Sequence, residues 1–328
     1  MSHHSSMTAK PQPPRSSLAP AGTAAGPVAA GRAGAAPRRG YRWWVAARPR
    51  TLTMAVTPVV VGASLAWAEG AEPAWFVLLL TLACAMLIQV ATNFLNDVTD
   101  FEKGNDRADR VGPVRITAAG WATPREVRRA AKLCVGLALA FGLVLVLVGG
   151  WPILAIGLLS IAAAWAYSGG RRPVSYGMLG ELYVLAFFGV IAVAGTYYLQ
   201  AGRWSATSVP VGLGVGAMAA AVLLLNNYRD LAADAAAGRR TLAARLGPAG
   251  SRTLYAALML LPLTIPPWLA LAHGVSPAVW LAWLAAPLCL VLVARSRHAA
   301  GTGLNPVLGQ TALAQFAFGL LLSAGLVL

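Results

Sequence analysis

The sequence predicts an all-α, polytopic membrane protein with about nine transmembrane helices. Three observations carry this. The 328 residues are 58% hydrophobic and only 11% charged, whereas a soluble domain carries about 25% charged residues. The apolar residues fall into repeated runs of about 20, the length that crosses a bilayer as a helix. The basic residues lie between those runs, nearly all in alternate loops. A formal charge of +15 would suit a nucleic-acid partner. A mostly lipid-soluble chain with its bases confined to short connecting loops excludes that class.

Residues 1–40 are rich in Ala, Pro, Gly, Ser and Arg and contain no acid. They lack the apolar periodicity needed to bury anything, which predicts a disordered extension ahead of one membrane domain at 41–328. Such a composition also fits an organelle transit peptide; a cytosolic tail is the plainer reading. The spans fall at about 50–68, 75–97, 130–149, 152–168, 178–200, 207–229, 252–272, 277–295 and 306–327. Several contain proline, such as Pro58, Pro262, Pro266 and Pro267, which membrane helices tolerate when neighbours satisfy the freed carbonyls. The three cysteines, Cys84, Cys134 and Cys289, sit in apolar runs without C-x-x-C spacing and read as packing residues.

Loop charge sets the orientation. With nine spans and a cytosolic N-terminus, 25 of the 26 Lys and Arg fall on the cytosolic side, and only Arg203 lies opposite. The positive-inside rule therefore predicts a multi-pass protein of the cell (inner) membrane, with its N-terminus and polar loops cytoplasmic.

The acids are concentrated. Seven of eleven lie in two stretches: Asp97, Asp100, Glu102, Asp106 and Asp109 in the first, Asp230 and Asp234 in the second. In the first, the apolar run from Trp75 flows without a turn into Asn93, Asn96, Asp97 and Asp100, spaced i, i+3, i+4, i+7. In the second, Asn227, Asp230 and Asp234 fall at i, i+3, i+7. Both spacings put the polar groups on one helix face, at the cytosolic ends of the second and sixth spans. Charged groups at the edge of a bilayer are costly and mark a functional site. Two carboxylates about 5–6 Å apart repel by roughly 3 kcal/mol at an effective dielectric near 20. Protonation, pairing with Lys103, Arg107, Arg110 and Arg115, or a divalent metal could each relieve this. An all-oxygen donor set with no Cys or His nearby suits Mg²⁺, or Mn²⁺, rather than zinc. Metal beside base points to phosphate, since Mg²⁺ completes its shell with phosphate oxygens. Lys103, Arg110, Arg115, Arg239 and Arg240 are the candidate holders of those oxygens. A diphosphate at the mouth of a bundle of apolar helices implies a lipid diphosphate. Ionisation of an allylic diphosphate needs no protein nucleophile, only stabilisation of the leaving pyrophosphate. Trp165, Tyr167, Tyr176 and Tyr183 could shield the cation, or form an interfacial aromatic belt. The rival class is a cation-coupled transporter, which would carry its acids near mid-bilayer.

At these motifs the chain resembles the UbiA-type intramembrane aromatic prenyltransferases, and most of all their menaquinone (MenA) branch. The likeness rests on N-x-x-N-D-x-x-D-x-x-x-G-x-D-x-x-x-R-x-G-P-x-R from Asn93 to Arg115 and on N-N-Y-R-D-L-A-A-D-A-A-A-G-R-R-T-L-A-A-R-L-G from Asn226 to Gly247. R-P-R-T-L at 48–52, Y-S-G-G-R-R-P-V-S-Y-G-M-L-G-E-L at 167–182, G-T-Y-Y-L-Q at 195–200 and L-N-P-V-L at 304–308 add to it. The resemblance implies helices around a central cavity, Mg²⁺ between the two Asp motifs and the diphosphate, and a site near the cytosolic face open to lipid. It implies transfer of a polyprenyl group from polyprenyl diphosphate to 1,4-dihydroxy-2-naphthoate, with loss of CO₂ and pyrophosphate, giving demethylmenaquinol. Other aromatic acceptors are used within the same family. Asp100, Asp230 and Asp234 are then the expected catalytic residues. Asn96, Asp97, Asp106 and Asn227 join them as expected metal ligands. Asn93, Tyr167, Arg171 and Arg172 are the expected acceptor contacts. One departure stands out: the broad pattern N-x-x-x-D-x-x-x-D has Gly104 in its last place, and Asp106 follows two residues later.

Overall fold

A computed structural model of the chain describes residues 37–104, 114–168 and 173–328. Every regular element among these is helical. The first, α1 (Arg39–Ala47), is short and amphipathic, with Ala46 buried and Tyr41 and Trp44 exposed. It starts two residues inside the stretch expected to be disordered; residues 1–36 lie outside the described residues. The chain turns at Arg48 (φ 51°) into α2 (Pro49–Ala68). Proline suits the first helical position because no N–H is needed there.

Helix α3 (Trp75–Glu102) has 28 residues, about 42 Å at 1.5 Å per residue, against a hydrocarbon core of about 30 Å. It is thus longer than a single crossing requires, and its last turns carry the first acidic motif. Helix α4 (Pro124–Ser168) opens on a capping box: Thr123 Oγ1 accepts from the Glu126 N–H (3.2 Å), and the Glu126 carboxylate accepts from the Thr123 N–H (2.8 Å). At 45 residues it is twice a span, and it breaks at Gly150 (φ 67°, ψ −155°), just before Pro152. Leu145 before the break and Ile153 after it share a cluster with Val77, at the start of α3, and with Leu199. The chain thus reverses there. Eight helices among the described residues are long and apolar enough to cross a membrane; α4 holds two spans, which gives the nine that the sequence predicts.

The remaining elements are α5 (Gly180–Ala201), α6 (Ser208–Arg229), the short α7 (Leu231–Ala236), α8 (Leu242–Ala272), α9 (Pro277–His298) and α10 (Gly301–Val327). Helix α5 contains a π-helical stretch at Ala186–Ile191. The most buried span is α6. Its Met218 and Leu225 pack with Tyr255, Met259 and Phe318 in the main core. Small residues bring α5 and α6 together backbone to backbone. A Cβ on Gly216 would meet the Leu185 carbonyl oxygen at 2.4 Å, and one on Gly212 would meet Val190 Cα at 2.7 Å. This is the small-x-x-x-small packing that joins helices in lipid, where no hydrophobic drive exists between them. Gly216→Val is expected to destabilise the protein by about 3 kcal/mol, read as an earlier thermal melt in detergent, whereas Gly136→Val, with open space at its Cβ, leaves the melt unchanged.

The two ends of the bundle are chemically distinct. At one, Tyr197 donates to Glu69 (2.6 Å), Ser205 also donates to Glu69 (3.1 Å), and Gln200 accepts from Trp67 (3.2 Å). At the other, both acidic motifs meet the bases.

Candidate active site

The first motif is built by the exit of α3. Asp97 is 1% exposed. Its carboxylate accepts from the N–H groups of Ile116 (3.0 Å) and Thr117 (3.1 Å) and from the Thr117 hydroxyl. Both oxygens thereby tie the returning chain to α3. Asp97, expected among the metal ligands, is placed as an anchor for this loop, because both its oxygens accept from the Ile116–Thr117 segment. That anchor positions Arg115, which donates to the Asn96 carbonyl (2.8 Å) and pairs with Asp100. Asn93 is likewise structural: its amide donates to the Ala47 carbonyl (2.8 Å) and to Thr51 (2.9 Å). It fixes α3 to the corner between α1 and α2, and nothing places it at an acceptor.

The second motif begins where α6 ends. Asp234, on α7, is buried. Arg239 joins the two motifs: one nitrogen donates to Asp100 (2.9 Å) and another lies 3.3 Å from Asp234. Its guanidinium also lies over the Tyr176 ring at 4.5 Å, and Lys103 approaches the same ring at 4.8 Å. The exposed Arg240 donates its backbone N–H to the Tyr176 carbonyl (2.8 Å). Burial works against the charge of Arg239, and the carboxylates of Asp100 and Asp234 more than offset it. Asp230 pairs with Arg229 (2.6 Å), which also donates to Asn226 (2.9 Å) and Asn305 (3.0 Å). The amide nitrogen of Asn227, a residue expected as a metal ligand, donates to Glu181 (2.9 Å). Tyr167 stacks on Tyr183 (6.2 Å), and Tyr183 meets Phe187 (5.0 Å). Trp165 is 71% exposed and takes no part in that ladder.

Asp106, Arg110, Arg171 and Arg172 lie outside the described residues. Four partners escaped sequence reading: Arg229, Asn305, Glu181 and the anchoring Thr117. Glu181 had a usable signal, an acid at the start of an apolar run.

The donor set fits a hard divalent cation. Asp100 and Asp234 converge from separate helices, with Asn96 and Asp230 beside them. Among the described residues no group of three His, Cys, Asp or Glu side chains is already gathered as a metal cage; the arginine stands between the carboxylates. Even so, Asp234 is pushed up from the usual 3.8 to about 6, first by burial, with Arg239 opposing and Asp230 and Asp100 adding to the rise. A carboxyl raised on folding contributes stability that is fully present below the unfolded value and is lost as pH rises through about 6. In metal-free protein, Asp234→Asn is expected to melt above wild type at pH 7.5. That gap narrows toward pH 5, and added Mg²⁺ raises only the wild-type melt.

Apolar helices of membrane-spanning length among the described residues, with two oxygen-rich helix ends bridged by arginine, define a polytopic membrane protein. Residues 55–305 match the UbiA prenyltransferase family, and the chain belongs to that family. A relative in Mycobacterium tuberculosis, 1,4-dihydroxy-2-naphthoate octaprenyltransferase, is 40% identical over 87% of this chain and 96% of its own length. The Escherichia coli protein of the same name is 37% identical, over 88% and 96%. In fold the chain is similar to a UbiA homolog from Aeropyrum pernix K1, with TM-score 0.66 at 16% identity over 85% of this chain and 98% of that one. It is also similar to a UbiA homolog from Archaeoglobus fulgidus bound to DMAPP and Mg²⁺, with TM-score 0.59 at 14% identity, over 86% and 99%.

Proposed function

We propose that this chain transfers a polyprenyl group from polyprenyl diphosphate to 1,4-dihydroxy-2-naphthoate, releasing pyrophosphate and CO₂ and forming demethylmenaquinol. The observation that carries the site assignment is the bridge by which Arg239 joins Asp100 of one motif to Asp234 of the other. The relatives that are 34–40% identical over nearly their whole length carry the substrate assignment.

Asp100 and Asp234, with Asp230 and Asn96, would hold Mg²⁺, and Mn²⁺ would suit the same oxygens. When bound, the metal supplies Lewis-acid stabilisation of the leaving pyrophosphate. The chain's own groups do the rest. Arg239 has a buried Nε–H with no hydrogen-bond partner among the described residues, a donor ready for a phosphate oxygen. Arg115, Lys103 and Arg240 surround the same mouth and add positive charge for a diphosphate. The Tyr167–Tyr183–Phe187 ladder offers aromatic faces to an allylic cation and to a flat acceptor. Apolar α-helical walls hold the isoprenoid tail in lipid. The positive-inside pattern supports placing this mouth at the cytoplasmic face of the cell membrane. A cation-coupled transporter would carry its acids near mid-bilayer, whereas here they stand at helix ends.

The test is an assay on purified protein in detergent with 1,4-dihydroxy-2-naphthoate, a long-chain prenyl diphosphate and Mg²⁺. The expected result is pyrophosphate and a prenylated naphthoquinol, both lost with EDTA. Pyrophosphate release only with another aromatic acceptor would overturn the substrate assignment, and activity that survives EDTA would overturn the metal.

A further inference from the structure

Glu181 is the second residue of α5 and is 4% exposed. A carboxylate in a membrane span is costly unless its oxygens are satisfied or it has a task. One oxygen, Oε1, accepts from Asn227 (2.9 Å). The other, Oε2, is buried and accepts no hydrogen bond among the described residues. Asp97 shows the contrast: a carboxylate used for architecture has both oxygens filled by backbone donors. Glu181 is held on one side only, and by a residue one helical turn before Asp230. Tyr183, two residues on in α5, stacks with Tyr167 (6.2 Å), so the half-satisfied carboxylate sits between the second motif and the aromatic ladder. No Lys or Arg among the described residues forms an ion pair with it. A buried carboxyl oxygen of this kind, with no ion-pair partner among the described residues, is placed to receive a hydrogen bond from a hydroxyl donor.

We propose that Glu181 Oε2 accepts a hydrogen bond from a ring hydroxyl of the aromatic acceptor, with Asn227 fixing the carboxylate and Tyr167 lying against the ring. This rests on the function proposed above, because it takes the acceptor to be a hydroxyarene. Glu181 is then a specificity residue: it selects arenes that carry a hydroxyl donor and orients the ring before the prenyl group arrives. Sites built to bind a buried hydroxyl reject analogues that lack it, because the site's own polar atom is left unpaired.

The experiment measures initial rates of full-length protein with 1,4-dihydroxy-2-naphthoate and with its two mono-O-methyl ethers. In wild type, at least one ether is expected to lose about 10- to 100-fold in kcat/KM. In Glu181→Gln the acceptor KM is expected to rise about 10-fold or more, and the discrimination between parent and ether to collapse toward one. The KM for prenyl diphosphate and the Mg²⁺ concentration for half-maximal rate stay within twofold of wild type. Use of both ethers as well as the parent by wild type overturns the proposal without any variant. So does a Glu181→Gln enzyme whose loss is shared equally by parent and ethers, or whose Mg²⁺ requirement shifts. If wild type prenylates 4-hydroxybenzoate or homogentisate rather than the naphthoate, the substrate assignment fails alone, and the same comparison with that phenol and its ether decides the role of Glu181. No prenylated product from any hydroxyarene overturns both.

Discussion

Asp100→Ala and Asp234→Ala are each expected to lose at least about a thousandfold in turnover, while moving stability in opposite directions. The shared loss follows from their place: each ends one arm of the bridge through Arg239, and each supplies an oxygen for the metal that stabilises the leaving pyrophosphate. The contrast in stability follows from their neighbours. Asp100 is paired with both Arg115 and Arg239, and its removal leaves two largely buried guanidinium groups short of charge, at a cost of about 3 kcal/mol. Asp234 is a buried acid whose ionisation burial already disfavours, so its removal relieves the metal-free protein at neutral pH. Turnover by single-cycle product formation and melting in detergent check both halves. Wild-type-like turnover in either variant would sink the metal assignment.

Arg239→Ala is expected to lower kcat/KM for prenyl diphosphate by about 100- to 1000-fold, and Arg239→Lys to recover little of it. The guanidinium spans two carboxylates from separate helices, lies over Tyr176 and keeps a buried Nε–H in reserve. An ammonium group is a point charge and cannot reproduce that planar fork. The KM for the aromatic acceptor is expected to change far less. Full activity in Arg239→Lys would show that the position supplies charge alone.

The same residues show where sequence reading reaches its limit. By itself the sequence determined the class of fold, the nine spans and the end of the bundle that carries the site. Those properties are local and additive: a run of about 20 apolar residues is long enough to span whatever its neighbours are, and the loop charges sum along the chain. It also grouped Asp100, Asp230 and Asp234 as acids that need relief by protonation, a base or a divalent metal, because carboxylates at helical spacing repel. Even the two spans of α4 were legible, since 45 residues cannot cross once and Gly150 sits before Pro152. What only the tertiary structure decided is which acid does which task. Asp97 and Asp100 are three residues apart on one helix and share a composition and a neighbourhood. Backbone amides 19 and 20 residues downstream fill the oxygens of Asp97, whereas guanidinium groups meet Asp100. Asn93 reads as an acceptor contact and Asn227 as a metal ligand, and the amide nitrogens of both are engaged by long-range partners, Thr51 and Glu181. Glu181 itself was a single acid in an apolar stretch, and its half-empty carboxylate exists only once α5 packs beside α6. A hydrogen-bond partner is fixed by distance in space, and distance between helices is set by the glycines and side chains that pack them, which no single run of sequence contains.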